Sequence, residues 1–588
     1  MATYNIFGPG VRGVDAFSDP QVIVGRKFRH ALNLTFSTGN VKTRPALDFT
    51  PLETGVFQGA AMFDPSRGIS HTSFGCGAKL AFAASGKIFV IGVGPEGLEG
   101  CPIRLQDPDS SNECGETFDP CGVINLFGAE NYLIVQGQGR NTKWWDGTGM
   151  TLTTSKGMSG DPGREASFAN QADQLVNSAG VGIFWNGRVH QQSGPAVAVG
   201  DLIHARGHQV TDDILGMTEQ AKPSCGPMLS TNSRLGDLVA IEGLPKMGTP
   251  NGEGELYGFY RNGVVSYNTF TFPRETRVSG NGEILTQGWG SKQMVTHVLN
   301  VVSATGRYAV GVLPKDLFFR SKFGVHFLSR TVGVETIHDE PSNSFSDEVN
   351  VVLRQDDPDL LCGASCAYWI TGNRLFTTCG MTETGAIGFV VYNKSWGFTE
   401  DDTPLPVWDG VWVPPNGLAV NRIFGETSTT PFSMVCSRDR ALHFGVTSPG
   451  THDFDGGATP IPWALMTGRF NFGTLLKKKA LSGGRLFFRK NDPEAKVTVL
   501  VRDDRGTWDK WGESQPGEGF QNMVLGDLPG VESLWFDFWV QGTGSCELVS
   551  FDVEIVDAGG SFEESVTYPT GDTGDPNYFT LHDHTGKA

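Results

Sequence analysis

The sequence predicts an all-β protein: a β-propeller of about six or seven blades with loop insertions, followed by a small β-sandwich. Three observations lead to this prediction. The 588 residues include 78 glycines and 32 prolines, and both residue types interrupt helices. The 39 phenylalanines and 13 tryptophans suit the pleated faces of strands and supply a large core. The third observation is a recurring hairpin, in which two apolar, aromatic-rich segments flank a short turn.

The hairpin occurs at least seven times along the chain. In one example, residues 183–185 turn at Asn186 and Gly187 into residues 188–190. The turn centres are Gly86, Gly139, Gly187, Gly263, Lys322, Gly372 and Asp439. They are roughly 50–75 residues apart, which fits blades of roughly 40–50 residues that carry loop insertions. The alternative is a run of unrelated hairpins distributed over two or three sandwiches.

Changes in composition along the chain predict four regions. Residues 1–50 form an N-terminal arm and the first strands, and residues 51–463 form the propeller. Residues 464–558 form the sandwich, and residues 559–588 form a polar C-terminal arm. An insertion at about 201–250 interrupts the propeller, and Thr211 is the expected N-cap of a short helix within it.

The charge balance limits the partners of the protein. There are 46 basic and 64 acidic side chains, which gives a net charge of −18. Such a surface repels a phosphate backbone, so we do not expect stable wrapping of nucleic acid, whereas transient passage of DNA past an acidic wall is compatible with it. The first residues lack a basic and apolar leader, and no apolar run approaches a membrane span, so we expect no stable membrane insertion.

The ten cysteines do not form a metal or redox motif. No two of them are separated by only two residues, which disfavours zinc knuckles and thioredoxin-type sites. We expect most of the thiols to be reduced and buried, as in a protein assembled in a cytoplasm. Cys114 and Cys121 flank a short loop and could pair if the protein meets oxidising conditions.

Several local patterns imitate functional sites. Gly92, Gly94 and Gly97 match a dinucleotide-binding fingerprint, but Pro95 and Pro102 predict a loop where that site needs a helix. Residues 504–508 form an incomplete sialidase box. Possible metal ligands, for which ordinary solvated loops are the preferred interpretation, are His452, Asp453, Asp455, His582, Asp583 and His584.

We therefore expect no catalytic, cofactor-binding or metal-binding residues, and a protein that is not an enzyme. The basic run Lys477, Lys478 and Lys479 lies in a predicted strand or its turn. There it either blunts a sheet edge or meets an acidic neighbouring subunit, rather than binding DNA.

Three segments, in this order along the chain, resemble the tail nozzle proteins (tail tubular protein B and its relatives) of short-tailed phages. The first is residues 33–45, a glycine turn followed by Arg44 and Pro45. The second combines residues 272–275 with residues 314–325, where Asp316 precedes a Phe-Arg-Ser and glycine turn. The third is residues 467–473 with the lysines that follow them.

The resemblance implies a structural virion protein of the tail, assembled in the host cytoplasm. Such proteins form a ring, usually a homohexamer, below the adaptor and portal proteins. The ring contacts tail fibres or tailspikes and encloses the channel through which the genome leaves. No catalytic residue is carried over from this family, and an acidic lumen would keep DNA from adhering.

Two other classes of function are open at this point. A carbohydrate-active tail propeller, acting as a depolymerase or binding host glycans, would use exposed tryptophans as a sugar platform. The candidates are Trp144, Trp145, Trp408 and Trp412. The other class is a non-viral propeller scaffold that binds partner proteins without forming a channel.

Overall fold

The fold is known from a computed structural model. It describes residues 2–8, 13–16, 27–37, 40–63, 77–108, 117–129, 132–138, 140–154, 180–185, 187–200, 228–230, 233–244, 254–269, 275–278, 284–288, 293–299, 302–329, 345–394, 407–473 and 477–561. Strands dominate these residues, and the one α-helix bounded within them is the single turn α1 (Asn350–Leu353). No helix of the described part is long and apolar enough to cross a lipid bilayer. The all-β prediction is confirmed.

The first five strands belong to the N-terminal part of the chain. They are β1 (Ala2–Phe7), β2 (Phe28–Leu32), β3 (Leu34–Ser37), β4 (Asn40–Thr43) and β5 (Ala46–Thr54). β3 and β4 form a hairpin. Strands β1, β2 and β5 pair with strands from the C-terminal half, so this segment is part of sheets that the rest of the chain completes.

Seven consecutive groups of antiparallel strands follow, and each group is one blade of a propeller. Blade 1 consists of β6 (Phe57–Phe63), β7 (Lys79–Ala84), β8 (Lys87–Gly94) and β9 (Gly97–Leu105). Blade 2 consists of β10 (Ile124–Ala129), β11 (Tyr132–Gly137), β12 (Lys143–Trp145) and β13 (Thr153–Thr154). Blade 3 consists of β14 (Gly182–Trp185), β15 (Arg188–Ser193), β16 (Ala196–Val199) and β17 (Met228–Ser230).

Blade 4 carries an extra hairpin before its last strand. It consists of β18 (Leu238–Leu244), β19 (Glu255–Tyr260), β20 (Gly263–Thr269) and β23 (Gln293–Leu299), and the hairpin is β21 (Glu275–Val278) with β22 (Ile284–Gly288). The described strands of blade 5 are β24 (Val310–Val312), β25 (Leu317–Ser321) and β26 (Gly324–Phe327). Blade 6 consists of β27 (Cys366–Trp369), β28 (Arg374–Thr382), β29 (Gly385–Asn393) and β30 (Val407–Trp412). Blade 7 begins with β31 (Ala419–Phe424), β32 (Ser433–Arg438) and β33 (Ala441–Ser448).

The first strands of the seven blades form a closed ring around the propeller axis. β6 contacts β10, β10 contacts β14, and the series continues through β18, β24, β27 and β31, which contacts β6 again. The approach is close, since a Cβ atom on Gly59 of β6 would lie 2.2 Å from the Ile124 carbonyl oxygen of β10. β5 pairs antiparallel with β33 and supplies the fourth strand of blade 7. All seven predicted hairpins are confirmed as antiparallel pairs.

The remaining strands form a short hairpin and a β-sandwich. They are β34 (His452–Asp455), β35 (Ala458–Pro460), β36 (Pro462–Thr467), β37 (Lys477–Lys490), β38 (Lys496–Arg502), β39 (Trp508–Glu513), β40 (Gly519–Leu525), β41 (Glu532–Ser533), β42 (Asp537–Thr543) and β43 (Cys546–Ser561). One layer, which we call the terminal sheet, has the order β3-β4-β43-β37-β40, with β1 on β43 and β41 on β37. The other layer is β2-β36-β42-β38-β39. The rings of Phe538 and Phe551 meet between the layers, 5.3 Å apart.

A buried arginine fastens the N-terminal segment to the propeller. Arg44 Nη1 and Nη2 donate to the two carboxylate oxygens of Asp453 at 2.8 and 2.6 Å. The other three donors of the guanidinium bind the Asn33 side-chain oxygen and the carbonyl oxygens of Pro45 and Val413, each at 2.9 Å. All five N–H groups of Arg44 therefore have acceptors, although neither side chain of the ion pair reaches solvent. We call this arrangement the Arg44 clamp.

The proposed boundaries of the four regions stay a prediction. Two blade strands, β17 and β18, lie inside the stretch interpreted as an insertion at about 201–250. The helix expected at Thr211 and nearly all of the arm at 559–588 lie outside the described residues. The expectation that the lysines blunt a sheet edge is wrong for Lys479, because β37 pairs there with β43 on one side and with β41 on the other. For Lys477 and Lys478 it stays a prediction.

Candidate functional site

The edges of seven strands face the propeller axis, which makes the axis a candidate for a ligand-binding or catalytic site. A loop before β24 in blade 5 places Arg307 and Tyr308 there. Arg307 Nη1 donates to the Ile124 carbonyl oxygen of blade 2 and Nη2 to the Gln58 carbonyl oxygen of blade 1, both at 2.6 Å. In a ring of seven, blades 1 and 2 lie opposite blade 5. Arg307 thus crosses the axis and satisfies two backbone acceptors at the inner edges of the opposite blades.

Two guanidinium groups lie close to the ring of Tyr308. Its hydroxyl oxygen accepts from the Ala60 N–H of β6 at 3.4 Å. The Cζ atom of Arg422, from β31 in blade 7, lies 3.7 Å from the Tyr308 ring centroid, and that of Arg307 lies 4.5 Å away. Stacked guanidiniums of this kind gain from the negative face of an aromatic ring. The three side chains bring together blades 1, 2, 5 and 7, and we call them the axial plug.

The plug perturbs the acid–base properties of its members. Burial raises the pKa of the Tyr308 phenol, but the neighbouring charges of Arg307 and Arg422 outweigh this effect, so the net pKa is lowered. Burial lowers the pKa of Arg422. One Arg422 nitrogen, Nη1, is buried without a hydrogen-bond partner among the described atoms.

Glu242, on β18 of blade 4, is the acidic group of this region. Burial raises its pKa from 4.5 to about 7, against the opposing effects of a hydrogen bond from the Gly243 N–H and of the Arg422 charge. The seven inner strands as described contain this one carboxylate and no other. Glycoside hydrolysis uses a pair of carboxyl groups, roughly 5–10 Å apart. The inner strands do not provide such a pair.

A cavity of about 240 Å³ lies between blades 1 and 2. Its polar lining includes Lys79, Glu99 and Cys101, and Trp145 closes one side. Glu99 is the one carboxylate in this lining. The cavity therefore also lacks the paired carboxyl groups of a glycosidase.

The tryptophans considered for a sugar platform belong mainly to the core. Trp145, Trp408 and Trp412 are buried, so their proposed role on the surface is wrong. Trp412 donates from its indole nitrogen to the Leu34 carbonyl oxygen at 2.7 Å. Trp144 is half-buried and packs edge-on against Tyr132 at 5.5 Å.

The possible metal ligands near residue 452 already have partners within the protein. Asp453 belongs to the Arg44 clamp, and Asp455 pairs with Arg438 at 2.8 Å. His452 Nε2 lies 3.1 Å from the Asp492 carboxylate. No cluster of three or more metal-ligating side chains occurs within the described residues, and His582, Asp583 and His584 lie outside them.

The other local patterns have structural roles. Gly94 and Gly97 flank the turn between β8 and β9, so the turn at the glycine motif is confirmed, but Pro102 lies within β9 rather than in the expected loop. In the incomplete sialidase box, Asp504 accepts the Leu534 N–H at 3.1 Å, and so connects two loops. The Cys114–Cys121 pairing lies outside the described residues, because the structure describes Cys121 alone.

The sequence did not predict the three residues of the axial plug. Arg307 and Tyr308 follow a glycine in a segment that matches no motif, and their partners Gln58, Ala60 and Ile124 are far away in sequence. Contacts between residues so far apart cannot be inferred from a single sequence. The one available signal was the placement of charged and aromatic residues directly before a short apolar strand.

Comparisons with known proteins do not assign a function to the chain. No family model matches the chain, and no curated protein matches it. Among solved structures, YCF48 from Cyanidioschyzon merolae is similar at 11% identity and a TM-score of 0.31, over 68% of this chain and 98% of that chain. The PQQ domain of pyranose dehydrogenase from Coprinopsis cinerea is similar at 10% identity and a TM-score of 0.31, over 70% and 97% of the two chains. An exo-β-1,3-galactanase from Phanerochaete chrysosporium, solved with galactose, is similar at 9% identity and a TM-score of 0.23, over 76% and 98%.

Proposed function

We propose that this protein is a non-catalytic β-propeller that acts as a binding and structural subunit of a larger assembly. The observation that carries the proposal is the axial plug. Arg307, Tyr308 and Arg422 occupy the axis where a propeller enzyme would hold its substrate, and their hydrogen bonds and ring contacts are made within the protein. Within the described residues, the inner strands bring one carboxylate, Glu242, and no second carboxylate to pair with it.

More specifically, we propose that the chain is a tail nozzle subunit in a homohexameric ring of a phage virion. This proposal is supported by the resemblance of the three segments and by the net charge of −18. The motif arginines Arg44 and Arg320 have architectural roles, since Arg320 is buried and pairs with Asp356 at 3.0 Å. This is what motifs of a structural family would encode.

The axial plug determines where DNA would pass in such a ring. The axis of each propeller is crossed by Arg307, so the conduit is the space enclosed by several copies. An acidic wall would repel the DNA phosphates and allow sliding. The partners of such a ring would be adaptor and portal proteins, together with tail fibres or tailspikes.

The second candidate is a carbohydrate-active or glycan-binding propeller. The observation in its favour is an exposed aromatic side chain, Phe520, on the terminal sheet. An aromatic ring of this kind can stack on a sugar. Enzymatic action on a glycan would require carboxyl groups other than those of the inner strands.

Native mass spectrometry of the full-length protein, together with negative-stain electron microscopy, tests the proposal. We expect a particle of several copies, and a ring with a central opening for the nozzle form. A stable monomer at all accessible concentrations would contradict the assembly role. Release of reducing ends from a host-surface polysaccharide by the purified protein would contradict the non-catalytic role and favour the second candidate.

A further inference from the structure

The outer face of the terminal sheet carries an exposed apolar and basic patch. Three of its side chains are apolar: Phe520 is 77% exposed, Val524 70% and Phe487 38%. Arg485, Arg489 and Asn522 are also exposed and alternate with them along β37 and β40. These six residues form what we call the terminal-sheet patch.

The strand register makes the patch continuous. Arg489 lies opposite Phe520, Phe487 opposite Asn522, and Arg485 opposite Val524, so the six side chains form three adjacent cross-strand pairs. The Arg489 guanidinium carbon lies 5.6 Å from the Phe520 ring centroid. Aromatic side chains and arginine are the residue types most enriched at the energetic centres of protein interfaces.

The patch borders an open sheet edge. β40 pairs with β37, and no other described strand pairs with it. The second edge of β40, seven residues long, therefore has no described partner strand next to Phe520 and Val524, although β39 of the other layer contacts β40. An edge strand without a partner strand favours association with another protein surface.

The charges of the patch select an acidic partner. Asp552 lies opposite Arg485 in the register and accepts from the neutral amide of Asn5 at 2.8 Å, and Glu547 lies opposite Arg489 and pairs with Lys42 at 3.4 Å. Within the described residues, no carboxylate forms an ion pair with Arg485 or Arg489. Two arginines without ion-pair partners on a chain of net charge −18 are complementary to the surface of the chain itself.

We propose that the terminal-sheet patch binds an acidic surface of a second copy of this chain, in a head-to-tail contact. The inference rests on the proposed assembly function and specifies which surface drives it. A symmetric contact of the patch with itself would bring the arginines of two copies toward each other, whereas a head-to-tail contact pairs them with carboxylates. Repeated around an axis, such a contact closes into a ring.

The test compares full-length variants by native mass spectrometry and by light scattering over a range of concentrations. One variant, R485E/R489E, reverses the charge of the patch, and another, F520S/V524S, removes its exposed apolar side chains. The matched controls are R261E and I370S, which change an exposed arginine and an exposed isoleucine on propeller blades. Circular dichroism verifies that each variant is folded.

We expect both patch variants to need at least tenfold higher concentration than the wild type to assemble, and the controls to assemble like the wild type. Assembly of the wild type should also weaken with added salt, because screening reduces the attraction between copies. If the wild type assembles and the patch variants assemble equally well, the inference fails while the proposed function stands. If the wild type is monomeric throughout, the proposed function itself fails.

Two further outcomes would overturn the inference in specific ways. A wild-type dimer that is lost in F520S/V524S but kept in R485E/R489E would indicate a symmetric contact through the β40 edge. A monomer that binds soluble polysaccharide, and loses this binding in F520S/V524S, would identify the patch as a glycan platform. Either result contradicts a head-to-tail protein contact.

Discussion

Replacing Arg44 by lysine tests whether the Arg44 clamp holds the N-terminal strands on the propeller. The guanidinium uses five N–H groups on five acceptor sites, and two of these are the oxygens of a buried carboxylate. Lysine keeps the charge but has three donors on one nitrogen. At least two of these five hydrogen bonds, each 2.9 Å or shorter, are then lost, although Asn33 Oδ1 and Asp453 Oδ1 keep a second donor in the N–H groups of Val413 and Leu47.

The expected loss follows from these contacts. A buried acceptor left without a donor costs about 1–3 kcal/mol, and removing one member of a buried ion pair outright costs about 3–5 kcal/mol. R44K should therefore lower the free energy of unfolding by about 2–4 kcal/mol. R44M removes the charge as well and should lower it by about 5 kcal/mol. Urea unfolding followed by tryptophan fluorescence measures both values, with R261K on the surface as the control.

The location of the effect is also specified. The clamp directly precedes β5, which pairs with β33 and closes the propeller. Amide hydrogen exchange in residues 46–54 should increase in R44K more than exchange in the strands of blades 1 to 4. A loss of less than 1 kcal/mol, or exchange that rises evenly over the whole chain, would refute the idea that Arg44 fastens this strand.

Three more predictions concern the axis and the thiols. The pKa of Glu242 is about 7 in the folded protein and near 4.5 when unfolded. The free energy of unfolding should therefore fall by up to about 3 kcal/mol as pH rises from 4.5 to 7, because the unfolded chain releases this proton at lower pH than the folded chain. Urea titrations of E242Q at several pH values should lack this contribution to the pH dependence. R307A removes two hydrogen bonds from a charged group and should cost about 3 kcal/mol, whereas an unchanged unfolding midpoint would show that the plug contributes nothing to stability. In the native protein, iodoacetamide should modify the exposed thiols of Cys101, Cys121 and Cys362. Four cysteines should be spared, because they are buried and burial raises the pKa of each thiol: Cys366, Cys379, Cys436 and Cys546. Peptide mass spectrometry maps the modified positions.

The blades were predictable because their information is local. A hairpin is specified by two apolar segments and the turn between them, as at Ser85 and Gly86, where both residues have the positive φ angles of a tight turn. Seven such turns in one chain indicate blades before any contact is known. The spacing of the turns predicts six or seven blades, and the structure has seven, with β5 of the N-terminal segment completing the last one.

The terminal sheet and the axial plug were not predictable in this way. β1 pairs with β43, and the two strands lie at opposite ends of the chain. Lys479 is a similar case: a basic run predicts an exposed edge, but this side chain is buried and donates to the Asn471 carbonyl oxygen. Tryptophans were equally ambiguous, since Trp412 has the same local sequence signal whether it faces solvent or, as in the structure, the core.

The closure of blade 7 by β5 also orders events during synthesis. β5 leaves the ribosome early, but its partner β33 begins at Ala441, almost 400 residues later. At about 5–20 residues per second, β5 waits roughly 20–80 s for that partner. Each nascent chain thus carries an unpaired apolar strand while blades 1 to 6 form, and blade 7 is completed only after β33 has been made. A chain truncated before Ala441 would keep this edge exposed, so premature termination should yield aggregating fragments rather than smaller propellers.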